Sequence, residues 1–92
     1  MAEEGPTVEQ LIEQIRAIKL ADFVASTAVT LASLAYGKLD GGELDEARLA
    51  IDALAALVPL LEGDAKRDLG QTLSNLQLTY ADAVAAAAPP TP

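Results

Sequence analysis

Four carboxylates lie close together in the middle of the sequence and are the first candidates for chemistry. They are Asp40, Glu43, Asp45 and Glu46. Clustered carboxylates can bind calcium, but this cluster lacks the alternating oxygen ligands and closing glutamate of an EF-hand loop. Three of the four lie where a helix is predicted to begin. We therefore interpret them as acidic residues that the positive end of the helix dipole favours.

Three hydroxyl side chains share one face of a predicted helix: Ser26, Thr30 and Ser33. A hydroxyl nucleophile needs an activating base. The chain has no histidine and no cysteine, so the commonest general base, the commonest metal ligand and any thiolate site are missing. We predict close helix packing for this face, and we expect no catalytic residue, no metal site and no bound cofactor.

The charge balance bears on the partners that the chain can bind. The net charge is −8 and the isoelectric point is about 4.1, which argues against nucleic acid and against anionic membrane surfaces. Lys66 and Arg67 are the only adjacent basic pair. The least charged run, residues 23–36, is shorter than the roughly 20 apolar residues that span a bilayer. The acidic start resembles no secretory signal, so we expect a soluble cytoplasmic protein.

The composition favours helices over strands. Hydrophobic residues make up 51% of the chain but aromatic residues only 3%, with alanine and leucine supplying most of the apolar content. We predict an all-α fold of three to four short helices in a hairpin or bundle. The expected helices span 8–18, 22–36, 43–61 and 65–86, between disordered tails at 1–6 and 87–92.

Individual residues suggest where these helices begin and end. Thr7 and Gln10 form the pattern of a capping box at the first helix. Asp22 is expected to cap the second helix after a break or kink near residues 19–22, and the alternative is that the first helix runs on through it. Gly37 is expected to end the second helix in a left-handed turn. Pro59 predicts a kink or a distorted final turn in the third helix, and Asp64 is expected to cap the fourth.

Two apolar seams run along the third helix, and this is the most informative pattern in the chain. One seam contains Leu44, Ala47, Ile51, Leu54, Val58 and Leu61, and the other contains Leu49, Ala53, Ala56 and Leu60. The second helix likewise has two stripes. A helix that is apolar nearly all round is normally covered on most sides. A chain this short can cover one face of each helix with its own residues, but two only with difficulty.

We therefore predict that oligomerisation completes the fold, as a homodimer or a higher oligomer. The predicted interface consists of Ala25, Val29, Ala32, Leu49, Ala53, Ala56 and Leu60. The alternative is a compact monomer, because faces of small residues can also pack tightly within one chain.

Several segments resemble a known bacterial family. The run from Leu44 to Ala55 reads Leu-Asp-Glu-Ala-Arg-Leu-Ala-Ile-Asp-Ala-Leu-Ala, and it is preceded by Leu34-Ala35-Tyr36-Gly37-Lys38-Leu39 and followed by Leu76-Gln77-Leu78-Thr79-Tyr80. Over residues 23–83 the chain is similar to the family catalogued as domain of unknown function 1844, especially its actinobacterial branch. The resemblance implies a short helical domain in the bacterial cytoplasm and supplies no activity. Residues 58–63 replace a polar turn that many members carry, so a role of that turn would not transfer.

These observations favour a non-enzymatic helical module that associates with itself and can present a face to another protein. The alternative is a helical bundle that binds a small apolar ligand between its helices. An enzyme is disfavoured because the usual catalytic residues and loop motifs are missing from the sequence.

Overall fold

Four α-helices make up the computed structural model, which describes residue 5 and residues 7–88. They are α1 (Val8–Ala17), α2 (Leu20–Asp40), α3 (Leu44–Leu57) and α4 (Gly63–Ala87), with a 3-10 turn at Val58–Leu60. No strand occurs in this described part, which confirms the predicted all-α fold. Most of the two predicted tails lies outside the described residues, and Ala87, which was expected in the second tail, belongs to α4.

The capping box at the start of α1 is confirmed. The backbone amide of Gln10 donates to Thr7 Oγ1 at 3.1 Å, and the backbone amide of Thr7 donates to Gln10 Oε1 at 2.9 Å. Helix α1 ends at Ala17, because Ile18 and Lys19 both have extended backbone conformations. Helix α2 then begins at Leu20, so Asp22 lies in its first turn and does not cap it.

The predicted end of α2 at Tyr36 is wrong. Gly37 is helical, and α2 continues to Asp40. The left-handed glycine is Gly42, with a φ of 75°. A glycine inside a helix costs only about 1 kcal/mol. The extra turn lets Leu39 pack against the core, which favours the longer helix.

Pro59 distorts the chain as predicted. Helix α3 ends at Leu57, and the next three residues form the 3-10 turn, in which the Leu61 amide donates to the Val58 carbonyl at 3.1 Å. Proline has no amide hydrogen and its ring would clash with the carbonyl four residues back, so the α-helix cannot continue through it. The predicted cap at Asp64 is wrong, since α4 begins one residue earlier, at Gly63, and Asp64 pairs with Arg67 at 3.4 Å.

The core lies where α2, α3 and α4 meet, and each of these helices contacts the other two. Leu54 and Leu76 are fully buried, and so are the small residues Ala28, Ala35 and Ala47. Alanines on facing helices allow the backbones to approach closely, but they bury little apolar area. The first seam of α3 therefore packs inside the chain's own core.

Helix α1 stands apart from this core. Every residue from Thr7 to Phe23 is exposed, and α1 buries none of its side chains. The radius of gyration is 18.5 Å, against about 12 Å for a compact domain of this length. The longest dimension is 71 Å, whereas α4, the longest helix, spans only about 37 Å. The chain is therefore a three-helix core with a projecting helix.

Candidate functional site: two exposed apolar surfaces

One face of α1, together with the residue that follows the helix, presents five large apolar side chains to solvent. We call this face the α1 stripe; it consists of Val8, Leu11, Ile12, Ile15 and Ile18, whose exposed fractions lie between 44% and 71%. The spacing of three and four residues puts them on one side of the helix. Glu13 and Gln14 lie on the polar side. Such an amphipathic helix normally has a partner for its apolar side.

A second apolar surface lies between α2 and α3. Leu31 and Leu34 of α2 and Leu49 and Ala53 of α3 line a shallow groove there. Phe23, which is 55% exposed, lies on the same stripe of α2 as Leu34. We call these five residues the α2–α3 outer face.

The hydroxyl groups of Thr27 and Thr30, which lie between Phe23 and Leu34 on α2, do not make this stripe polar. Thr27 Oγ1 donates to the carbonyl of Phe23 at 2.9 Å, and Thr30 Oγ1 donates to the carbonyl of Ser26 at 3.1 Å. Each hydroxyl therefore has a partner within its own helix, and the threonine methyl groups remain available for contact. A partner could cover this stripe without leaving these hydroxyls unsatisfied.

An ion pair borders the outer face near the α2–α3 turn. Lys38 Nζ lies 3.4 Å from Glu43 Oε1 and 3.5 Å from Glu46 Oε1. Glu43 and, more weakly, Glu46 raise the pKa of Lys38 above its ordinary value. Within residue 5 and residues 7–88, no group of three acidic side chains is placed to hold a metal ion. Two members of the acidic cluster thus serve a local ion pair.

The structure divides the seven predicted interface residues among different places. Leu49 and Ala53 line the α2–α3 groove, and Ala56 is exposed on the same helix. Ala25 and Leu60 line a separate groove that includes Ala65 of α4. The last two are Val29, which is 54% exposed, and Ala32, which is buried in the subunit's own core.

The prediction that Ala32 belongs to an exposed interface is therefore wrong. Ala32 faces inward with Ala28 and Ala35. The pattern of α2 shows small residues on more than one face, so it could not tell which of these faces packs against α3 and α4.

Sequence reasoning missed the largest exposed side chains. Phe23 and Leu34 were absent from the predicted interface, although they lie on one helical stripe with Thr27 and Thr30. Counting these threonines as polar concealed the stripe. The apolar residues of α1 were not assigned to an interface either.

Helix α2 also has the length and composition of a membrane span. The helix has 21 residues, and 17% of its most apolar 18-residue stretch is buried. Core helices of soluble proteins pass the same test, so this is weak evidence. Here α2 packs against both α3 and α4, and Lys38 near its end is ion-paired.

Comparison with known proteins identifies no relative. The chain matches no family model, no curated protein and no solved structure. The resemblance to the bacterial family therefore stays a prediction, and the two exposed apolar surfaces are the features of the molecule that bear on its function.

Proposed function

We propose that this chain is a non-enzymatic helical module whose function is to associate with copies of itself. The observation that carries the proposal is the extent of its solvent-exposed apolar surface. Among residue 5 and residues 7–88, fourteen large hydrophobic side chains are more than 40% exposed. Eight of them belong to the α1 stripe and the α2–α3 outer face, and apolar patches on a protein surface are typical of interaction sites.

The total surface area supports the same proposal. The accessible surface is 6901 Å², about 1,900 Å² more than the roughly 5,000 Å² expected for a folded monomer of 9.5 kDa. A standard interface removes about 800 Å² from each partner. Less than half of the excess would therefore supply an interface of ordinary size.

A small apolar ligand is the second candidate, and the groove between Leu31 and Leu49 is the feature that favours it. Ligand sites usually bury most of the ligand's surface. This groove is a shallow surface depression, so a small molecule in it would remain largely in water. A second helix would fill the groove better, and we therefore rank self-association first.

Sedimentation velocity of the purified chain tests the proposal. We expect a mass of at least twice 9.5 kDa at micromolar concentration. Leu49→Glu, which places a charge on the outer face, should weaken association and leave the core of α2, α3 and α4 folded, because Leu49 is 66% exposed. Gln77→Glu, an equal charge change at an exposed site on α4, is the matched control and should associate as the unmodified chain does.

A chain that remains a 9.5 kDa monomer at all concentrations contradicts self-association. Thermal stabilisation of that monomer by a fatty acid would then support the ligand-binding alternative. Cytoplasmic location and the lack of a membrane partner remain part of the proposal. Recovery of the protein with the membrane fraction of lysed cells would contradict both.

A further inference from the structure

We propose that the α1 stripe of one copy packs into the α2–α3 outer face of a second copy, and that the exchange is reciprocal. This inference rests on the proposed self-association and specifies how it takes place. The partner is a second copy because each chain carries both surfaces. Its α1 packs into no groove of its own chain, and its α2–α3 groove holds no helix of its own chain.

The lengths of the two surfaces agree. The α1 stripe runs from Val8 to Ile18 and spans about 15 Å along the helix axis. The exposed stripe of the outer face runs from Phe23 to Leu34 and spans about 16 Å. An amphipathic helix that lies in an apolar groove is a common mode of helix recognition.

Simpler pairings leave one of the surfaces uncovered. If two outer faces packed together alone, the five side chains of the α1 stripe would remain in solvent. If two copies of α1 paired alone, Phe23, Leu34 and Leu49 would remain exposed. A reciprocal exchange covers both surfaces at once, and the two-fold symmetry repeats every contact.

The connection between α1 and α2 supports exchange between chains. Ile18 and Lys19 are both extended, with ψ values of 128° and 117°. These two residues direct α1 away from the core, and no residue of α1 is buried by its own chain. The helix is therefore positioned to reach a neighbouring molecule.

The first test is a pair of adjacent substitutions in α1, Ile15→Glu and Gln14→Glu. Both introduce one carboxylate into an exposed helical site, so neither should unfold the core. We expect Ile15→Glu to raise the dimer Kd more than about tenfold, since a charge would enter two symmetric apolar contacts. Gln14→Glu lies on the polar side and should change the Kd by less than about twofold.

The second test uses disulfide cross-linking, because the chain has no native cysteine. Ile15→Cys and Ala53→Cys chains, each with a different tag, are mixed and oxidised. A disulfide between the two chains supports the exchange. Dimers that form equally well with Ile15→Glu and give no such disulfide would overturn the exchange but not self-association. An unmodified chain that is monomeric and pellets with phosphatidylcholine vesicles would overturn both.

Discussion

Single residues show how leucine and alanine can form both the buried core and the exposed apolar surfaces of this chain. Leu54 and Leu49 lie on one helix, five residues apart, yet Leu54 is fully buried and Leu49 is 66% exposed. Five residues rotate the side chain by about 140° around the helix axis. The burial of a leucine here is decided by its angular position and not by its type.

The two glycines near the end of α2 should respond to alanine in opposite ways. Gly37 is helical, and a Cβ there would meet no atom within 4 Å. We therefore expect Gly37→Ala to raise the free energy of unfolding by about 0.5–1 kcal/mol. Gly42 has a φ of 75°, so Gly42→Ala should lower it by about 1–2 kcal/mol. Urea denaturation at one fixed protein concentration measures both. Equal effects would contradict these backbone assignments.

At the scale of elements, local capping stabilises α1, whereas burial of apolar side chains stabilises α3 and α4. Helix α1 has a complete capping box but no buried side chain, whereas α3 and α4 lack a side-chain cap at the N-terminus and bury leucines. Isolated helices of ten residues are marginal in water. We therefore expect α1 to be stable chiefly when another surface covers its stripe.

The ion pair between α2 and the start of α3 predicts a pH dependence. Because Glu43 raises the pKa of Lys38, the stabilisation is fully present below the unfolded pKa of about 10.5 and is lost as the pH rises through the higher folded value. The difference in unfolding free energy between the unmodified chain and Lys38→Gln should therefore shrink as the pH rises above about 10.5. Lys66→Gln, an exposed change on α4, is the control. A difference that stays constant above pH 10.5 would contradict this assignment.

Local signals predicted the elements well where a single residue decides the outcome. Thr7 with Gln10 identified the start of α1, and Pro59 identified the distorted turn after α3. Prediction failed at Gly37, where the cost of a helical glycine competes with tertiary packing of Leu39. It also failed for Ala32, because α2 has small residues on several faces and only the positions of α3 and α4 decide which face is buried.

At the scale of the whole molecule, the chain exposes more surface than a stable monomer of its mass. The α1 stripe and the α2–α3 outer face together account for eight of the large exposed hydrophobic side chains. Small domains often have too little core to be stable alone, and self-association is a common remedy. A second copy that covers both surfaces would therefore explain the elongated shape and the exposed apolar side chains together.

Association of this kind should make thermal stability depend on protein concentration. Each hundredfold rise above the Kd adds about 2.7 kcal/mol to the stability of the assembly by mass action. We expect the Tm to rise by several degrees over that range, as measured by circular dichroism or differential scanning fluorimetry. Ile15→Glu should show a much flatter dependence than Gln14→Glu. A Tm that is independent of concentration for the unmodified chain would argue against a stabilising assembly.

The internal hydrogen bonds of Thr27 and Thr30 have a further consequence for how this surface responds to solvent. Their hydroxyl groups do not need water molecules as hydrogen-bond partners. When a second copy covers the α2–α3 outer face, mainly hydrocarbon would therefore be removed from water. Calorimetry should then record a clearly negative change in heat capacity. Added sodium chloride should not weaken the affinity, since the residues concerned carry no charge and salt screens the repulsion between two copies that each carry a net charge of −8.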